Sequence, residues 1–185
     1  VKPLDNDIFS SNYYNVKRAD SFLYFATIRG LEIYKSGPTP KFLSRTPTNG
    51  LAYGLDVIDN YAYIADYYTG ICVIDISNPY NPKIIGYFNV ELKVFDVKTK
   101  GKYAYVIDKE KGLIILDISD RRSPKKISQC SDIGSAFSIV LRDSMAFIGK
   151  FDGPVVIINI SNPEKPFVLG YLPNDSIKGY CVDSY

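Results

Sequence analysis

The side chains of this sequence that could do chemistry are mainly carboxylates, because the groups used by most catalytic and metal sites are missing. There is no histidine, so Ser-His-Asp and Cys-His catalysis and histidine-based metal sites are excluded from this chain. The three cysteines, Cys72, Cys130 and Cys181, lie far apart and form no CxxC pair. This spacing argues against a zinc site or a redox pair. The sequence therefore predicts no cofactor.

One set of polar residues recurs at a fixed spacing: Asp75, Asp117 and Asn159 each precede an Ile-Ser pair and a turn. Such a set could form a ring of ligands. The alternative is that each side chain caps its own turn by accepting hydrogen bonds from nearby backbone N–H groups. The sequence favours turn capping.

Two further pairs of carboxylates raise the same question. Asp66 and Asp108 end equivalent segments, and Lys150 stands at the same position in the next copy, which again favours turn capping. Asp56 and Asp59 are placed on one turn. Calcium binds roughly six to eight oxygens, and two carboxylates three residues apart fall short of that number. No metal site is predicted.

These carboxylates belong to an internal repeat. Residues 61–66 (Tyr-Ala-Tyr-Ile-Ala-Asp) return at 103–108 and, as Met-Ala-Phe-Ile-Gly-Lys, at 145–150, which is a step of 42 residues. Residues 70–77 (Gly-Ile-Cys-Val-Ile-Asp-Ile-Ser) return in phase. A turn and a fourth apolar segment follow in each copy. A short segment with an aromatic residue leads each copy, at Tyr14, Tyr53, Phe95, Phe137 and Tyr180.

Each repeat unit thus contains four short β segments separated by Gly, Pro, Asn and Asp. Segments such as 113–116 (Leu-Ile-Ile-Leu) are apolar on both faces, so both faces need cover. A sheet stacked between two similar sheets supplies that cover, as in a propeller blade. The prediction is an all-β fold, a β-propeller of about four four-stranded blades plus the first strand of a fifth.

The stretch of residues 70–83 (Gly-Ile-Cys-Val-Ile-Asp-Ile-Ser-Asn-Pro-Tyr-Asn-Pro-Lys) resembles the LVIVD repeat. Repeats of that family occur mainly in large bacterial and archaeal surface or secreted proteins. The resemblance implies a β-propeller and an extracellular or cell-surface location, and it supplies no catalytic motif. The first copy departs from the pattern, with Ile33-Tyr34-Lys35 where the others have Asp or Asn followed by Ile-Ser.

The domain prediction is one repeat region spanning residues 1–185. Its copies are expected at 14–52, 53–94, 95–136 and 137–178, with a partial fifth copy at 179–185. The lone fifth leading strand favours a fragment of a larger propeller. Alternatively, a partner chain supplies the missing strands, or this strand closes a small ring. A complete but open chain would associate head to tail through its exposed edges.

Residues that break the repeat are the candidates for function. Tyr67, Tyr68 and Phe151 occupy the turn between the second and third strands and predict an aromatic contact surface. The alternative is that these rings pack locally over a neighbouring blade. A second candidate surface is a basic cluster, which either meets an acidic partner or is a solvated turn. The cluster comprises Arg121, Arg122, Lys125 and Lys126.

The composition narrows the list of partners. Lys and Arg total 22 and Asp and Glu total 20, a net charge of +2 that gives no reason to expect nucleic acid. No apolar run is long enough for membrane insertion in this region. We expect a non-catalytic binding or scaffold domain of a cell-surface or secreted protein. Its partner would be a protein or glycan surface, or further copies of itself. The alternatives are a structural subunit of an extracellular filament or surface layer, and a carboxylate- or metal-dependent propeller hydrolase or lyase.

Overall fold

The computed structural model describes residues 13–88, 93–151 and 153–172. Sixteen β-strands are formed within these ranges, and they build four antiparallel sheets of four strands each. None of the described residues forms a helix long and apolar enough to cross a membrane. The predicted fifth leading strand, with Tyr180, lies outside the described residues.

The four sheets follow one another along the chain. Sheet 1 consists of β1 (Tyr13–Ala19), β2 (Phe22–Thr27), β3 (Gly30–Lys35) and β4 (Lys41–Thr46). Sheet 2 consists of β5 (Ala52–Ile58), β6 (Tyr61–Asp66), β7 (Gly70–Asp75) and β8 (Lys83–Phe88). Sheet 3 consists of β9 (Val94–Lys100), β10 (Tyr103–Asp108), β11 (Gly112–Asp117) and β12 (Lys125–Cys130). Sheet 4 consists of β13 (Ala136–Arg142), β14 (Met145–Lys150), β15 (Val156–Asn159) and β16 (Phe167–Tyr171).

Within every sheet the strands pair in chain order, which is the arrangement of a propeller blade. The prediction of an all-β fold with four four-stranded blades is confirmed. The first hairpin of each sheet places one residue in the left-handed region, at Asp20, Asp59, Gly101 and Asp143, with φ between 51° and 58°. Aspartate and glycine are among the residues that tolerate this conformation, so the repeat keeps them at this position.

The core consists of three apolar clusters, each between two consecutive sheets. In β7, Ile71 and Val73 pack in the cluster shared with sheet 3, whereas Cys72 and Ile74 pack in the cluster shared with sheet 1. The third cluster lies between sheets 3 and 4. Alternate residues of a strand point to opposite faces, so β7 is covered on both sides by other sheets. This is the cover that the apolar pattern requires.

Sheet 1 differs on its face away from sheet 2. Leu31 and Ile33 face sheet 2, so Glu32 and Tyr34 point to the opposite face. Glu32 is fully buried there, and it accepts hydrogen bonds from Tyr34 Oη at 3.0 Å and from Arg45 Nε at 2.9 Å. This network makes part of the outer face of sheet 1 polar.

The leading strands of the four sheets lie side by side at the inner edge. β5 packs against β1, β9 against β5, and β13 against β9. Among the described residues, no comparable packing joins β13 back to β1. The inner edge therefore forms a row of four neighbouring strands.

At the outer edge, the fourth strand of one sheet meets the turn before the fourth strand of the next. Ser44 Oγ donates to the carbonyl of Pro79 at 2.6 Å, and Ser128 Oγ donates to the carbonyl of Pro163 at 2.5 Å. Gly86 occupies the equivalent position in sheet 2. A Cβ atom there would lie 2.8 Å from the carbonyl oxygens of the Arg121 turn. Sheets 2 and 3 therefore leave no room for a side chain at Gly86.

Replacing Gly86 by alanine should destabilise the protein, because the new methyl group must push sheets 2 and 3 apart. We expect a loss of about 1–3 kcal/mol in the free energy of unfolding, measured by urea denaturation. Gly170 is the matched control, since it holds the same repeat position in sheet 4 and no described atom lies within 4 Å of its added Cβ. Equal losses for Gly86→Ala and Gly170→Ala would contradict this packing.

Candidate binding cleft

The four leading strands line a cleft with a volume of about 830 Å³. Pockets for small ligands typically measure roughly 300–1,000 Å³, so the cleft has the size of a ligand site. Each strand contributes an aromatic ring near its start. Polar side chains of β1, β5, β9 and β13 line the cleft further along.

Tyr14, Tyr53, Phe95 and Phe137 form a continuous row of rings across the four sheets, here called the aromatic row. Successive ring centroids are 4.4, 5.4 and 5.1 Å apart. These separations lie near or within the roughly 4.5–7 Å typical of favourable aromatic pairs. The row follows from the repeat, because each copy places one aromatic residue at the start of its inner strand. Tyr14, at one end, is 40% exposed.

Tyr67, in the turn after β6, extends the aromatic row outward. Its ring centroid is 5.3 Å from that of Tyr53 in its own sheet and 5.0 Å from that of Phe95 in the next. Tyr68 packs against Tyr67 at 4.7 Å and is 66% exposed. Tyr67 thus packs over a neighbouring blade and also supports an exposed ring beside the row.

Phe151 joins the same row from sheet 4. Its ring centroid lies 4.8 Å from that of Phe137 and 5.2 Å from that of Phe95. Lys109 holds the equivalent position in the third repeat. The structure therefore connects Tyr67 and Phe151 through Phe95, which brings the predicted loop aromatics onto one surface.

Asp56 joins three strands on the wall of the cleft. Its buried carboxylate accepts hydrogen bonds from the amide and the hydroxyl of Thr99 at 2.8 and 2.9 Å, and lies 2.8 Å from Lys17 Nζ. The prediction from the sequence that Asp56 lies on a turn is wrong. The hairpin after β5 turns at Asp59, so Asp56 stays within the strand, opposite Tyr63.

Asp96 makes the equivalent link between the next two strands. It accepts hydrogen bonds from the amide of Ile139 in β13 at 3.1 Å and from Lys98 Nζ at 3.3 Å. Burial raises the pKa of Asp96, and the nearby Lys98 ammonium opposes that rise. Asp96 was not predicted from the sequence because no carboxylate recurs at its repeat position. The equivalent residues of the neighbouring copies are Gly54 and Ser138.

The turn-capping interpretation of Asp75, Asp117 and Asn159 is confirmed. Each side-chain oxygen accepts a hydrogen bond from the amide of the serine two residues later, at 2.9, 2.8 and 2.9 Å. These bonds lower the pKa of Asp75, through the amide and hydroxyl of Ser77, and that of Asp117, through the hydroxyl and amide of Ser119. The three side chains lie at the ends of the third strands, away from the leading strands.

Asp66 and Asp108 also cap their local turns. In addition, each accepts a hydrogen bond from the segment that precedes the first strand of its own sheet. Asp66 accepts hydrogen bonds from Thr69 Oγ1 at 2.6 Å and from the Gly50 amide at 3.0 Å. Asp108 accepts one from the amide of Lys93 at 2.6 Å. Among the described residues, no group of three or more Cys, Asp or Glu side chains could hold a metal ion.

The four residues of the predicted basic cluster do not share one environment. Arg121 Nη1 donates to Tyr63 Oη at 2.8 Å, and its guanidinium lies 5.3 Å from the centroid of the Tyr61 ring in sheet 2. Arg121 therefore fastens sheet 3 to sheet 2. The other members of the cluster are exposed: Arg122, Lys125 and Lys126.

The family model of the LVIVD repeat matches residues 49–90, 93–132 and 133–171. That family is not known as an enzyme family. No curated protein matches the chain.

Solved structures resemble the fold. The computationally designed Ika8 protein matches with a TM-score of 0.70 at 13% identity, over 87% of this chain and 49% of that one. The computationally designed Ika4 protein matches with a TM-score of 0.66 at 11% identity, over 82% of this chain and 92% of that one. A functionally unknown protein from Desulfotomaculum acetoxidans DSM 771 matches with a TM-score of 0.70 at 13% identity, over 86% and 56%. The chain thus spans about half the length of the first and third proteins.

Asp117→Asn should keep the turn cap, as Asn159 does, but remove its response to acid. The lowered pKa of Asp117 means that the stability contributed by its charge is present above the unfolded-state pKa of about 3.9 and is lost as pH falls through the folded-state value. The difference in urea midpoint between wild type and Asp117→Asn should therefore shrink on acidification. Asn159→Asp should gain the same pH dependence. Parallel pH profiles for all three proteins would contradict this assignment.

Proposed function

Because the chain belongs to the LVIVD repeat family, we propose that it is a non-catalytic binding module of a cell-surface or secreted protein. Its contact surface is the aromatic row together with Tyr67, Tyr68 and Phe151. The observation that carries this proposal is the continuity of these rings across four sheets, from Tyr14 to Phe137. A protein or a glycan is the partner class that such a surface serves.

The rings suit a recognition surface because the scaffold holds them in place. Each ring of the aromatic row stands at the start of an inner strand, and its neighbours lie within 5.4 Å. Aromatic side chains have few rotatable bonds, so fixed rings give a large contact area at low entropic cost. Tyrosine is also enriched at binding hot spots, and Tyr14 and Tyr68 are exposed beside half-buried rings.

The cleft carboxylates support binding rather than hydrolysis. Asp56 and Asp96 each accept a backbone N–H of the next sheet, so their oxygens hold neighbouring strands together. Their position in the hydrogen-bond network favours a positioning role for both.

Tyr68→Ala should weaken partner capture with little change in stability, because the ring is 66% exposed. The measurement is binding of the purified chain to arrays of neutral and charged glycans and of extracellular proteins. We expect a loss of about tenfold or more in affinity for the captured partner, as for a hot-spot tyrosine. Tyr80→Ala is the matched control, since Tyr80 is also 66% exposed but lies on the turn before β8. Equal capture by both variants and wild type would remove this surface from consideration.

A second candidate function, a structural subunit that associates with copies of itself, is favoured by sheet 4. Ile85 and Ile127 pack in the clusters between sheets 2 and 3 and between sheets 3 and 4. Leu169 holds the same repeat position in β16 and is 51% exposed. This residue continues the pattern of contacts that joins one sheet to the next.

Self-association through this face should appear as a concentration-dependent mass in light scattering. Leu169→Glu should lower that mass, because a charge would have to be buried in the contact. Val16→Glu alters an exposed apolar residue of sheet 1, 55% exposed, and tests whether the opposite end takes part. A monomeric wild-type chain at all concentrations would exclude this second function.

A further inference from the structure

The dimensions of the cleft favour a slender ligand. Its volume of about 830 Å³ lies in the range of small-ligand pockets. A typical protein partner instead covers a broad patch of about 800 Å² per side. The part of a ligand that enters between the leading strands is therefore a short chain or a chain end.

The charges along the cleft cancel. Lys17 Nζ lies 2.8 Å from Asp56 Oδ1, and Lys98 Nζ lies 3.3 Å from Asp96 Oδ1. The two lysine side chains remain 43% and 25% exposed, and each ammonium carries three N–H donors. The cleft thus offers hydrogen-bond donors without a net charge that would select an ionic ligand.

One buried hydroxyl in the cleft has no partner. Ser138 lines the cleft, is only 7% exposed, and its Oγ forms no hydrogen bond with any described residue. A buried polar atom without a partner costs free energy, so its presence calls for an explanation. A ligand hydroxyl would supply both a donor and an acceptor for Ser138 Oγ.

Aromatic rings that line the cleft add an apolar surface to these polar groups. Tyr53 and Phe95 both line the cleft, and their rings are inclined by 30° with centroids 5.4 Å apart. The electron-rich face of an aromatic ring attracts the partly positive C–H groups of an apolar ligand surface. Pyranose rings combine a C–H face with hydroxyl groups around their edge.

We propose that the cleft binds a neutral saccharide chain, with a sugar ring against the aromatic row and a sugar hydroxyl hydrogen-bonded to Ser138 Oγ. The inference rests on the proposed function and narrows its partner class from protein or glycan to glycan. Balanced charge disfavours an acidic polysaccharide, and the small volume of the cleft disfavours a folded protein.

The test is isothermal titration calorimetry of the full chain with four neutral hexasaccharides at millimolar concentration: cellohexaose, maltohexaose, mannohexaose and the N-acetylglucosamine hexamer. A galacturonic acid hexamer is the charged comparison. We expect at least one neutral oligosaccharide to bind and the charged one to bind more weakly.

Ser138→Ala should weaken that binding roughly fivefold to tenfold, the loss of one hydrogen bond. Its urea midpoint should stay unchanged or rise, because the variant removes a hydroxyl that has no partner. Ser128→Ala is the matched control with the opposite signature. Ser128 Oγ bonds to the carbonyl of Pro163, so this variant should lose stability and keep saccharide affinity.

Three results would overturn the inference: no neutral oligosaccharide binds, the charged hexamer binds more tightly, or Ser138→Ala binds as wild type does. Protein capture that depends on Tyr68, without saccharide binding, would overturn the glycan assignment and leave the proposed function standing. Equal capture by wild type, Tyr68→Ala and Tyr80→Ala would instead remove the binding surface itself.

Discussion

Strands that are apolar on both faces need a neighbouring sheet on each side, and this requirement organises the whole molecule. In β7, Ile71 and Val73 face one neighbour while Cys72 and Ile74 face the other. Burying such side chains contributes roughly 1.5–3 kcal/mol each, so an uncovered face would be costly. Stacking the sheets in chain order satisfies the requirement and brings the first strand of every sheet to the inner edge.

The cleft is a consequence of that stacking. Each inner strand pairs with only one neighbour in its own sheet, which leaves N–H groups along its free edge. Asp56 and Asp96 accept two of these groups, from Thr99 and Ile139, each 43 residues further along the chain. The same arrangement aligns one aromatic ring per copy into a row. Structural repetition therefore builds the surface to which we assign binding.

Features that recur could be predicted from the sequence, whereas most contacts between sheets could not. The sheets and the turn cap at Asp117 follow from local patterns present in every copy. Asp96, Ser138 and Arg121 each break the repeat. Asp96 and Arg121 bond to residues of another sheet, and Ser138 lies in a cleft that only the stacked sheets form. The misplacement of Asp56 has a similar cause, since only the hairpin geometry shows that β5 continues past it to Ile58. The repeat pattern in the sequence therefore predicts the strands of each blade, whereas the contacts between blades can be identified only in the structure.

Amide hydrogen exchange at Thr99 and Ile139 tests the side-by-side packing of sheets most directly. Each of these N–H groups donates to a buried carboxylate of the neighbouring sheet. We predict that both exchange as slowly as the amides of the central strand β11, since opening them requires separating two sheets. Exchange at the rate of an unprotected edge amide, with β11 still protected, would contradict the account.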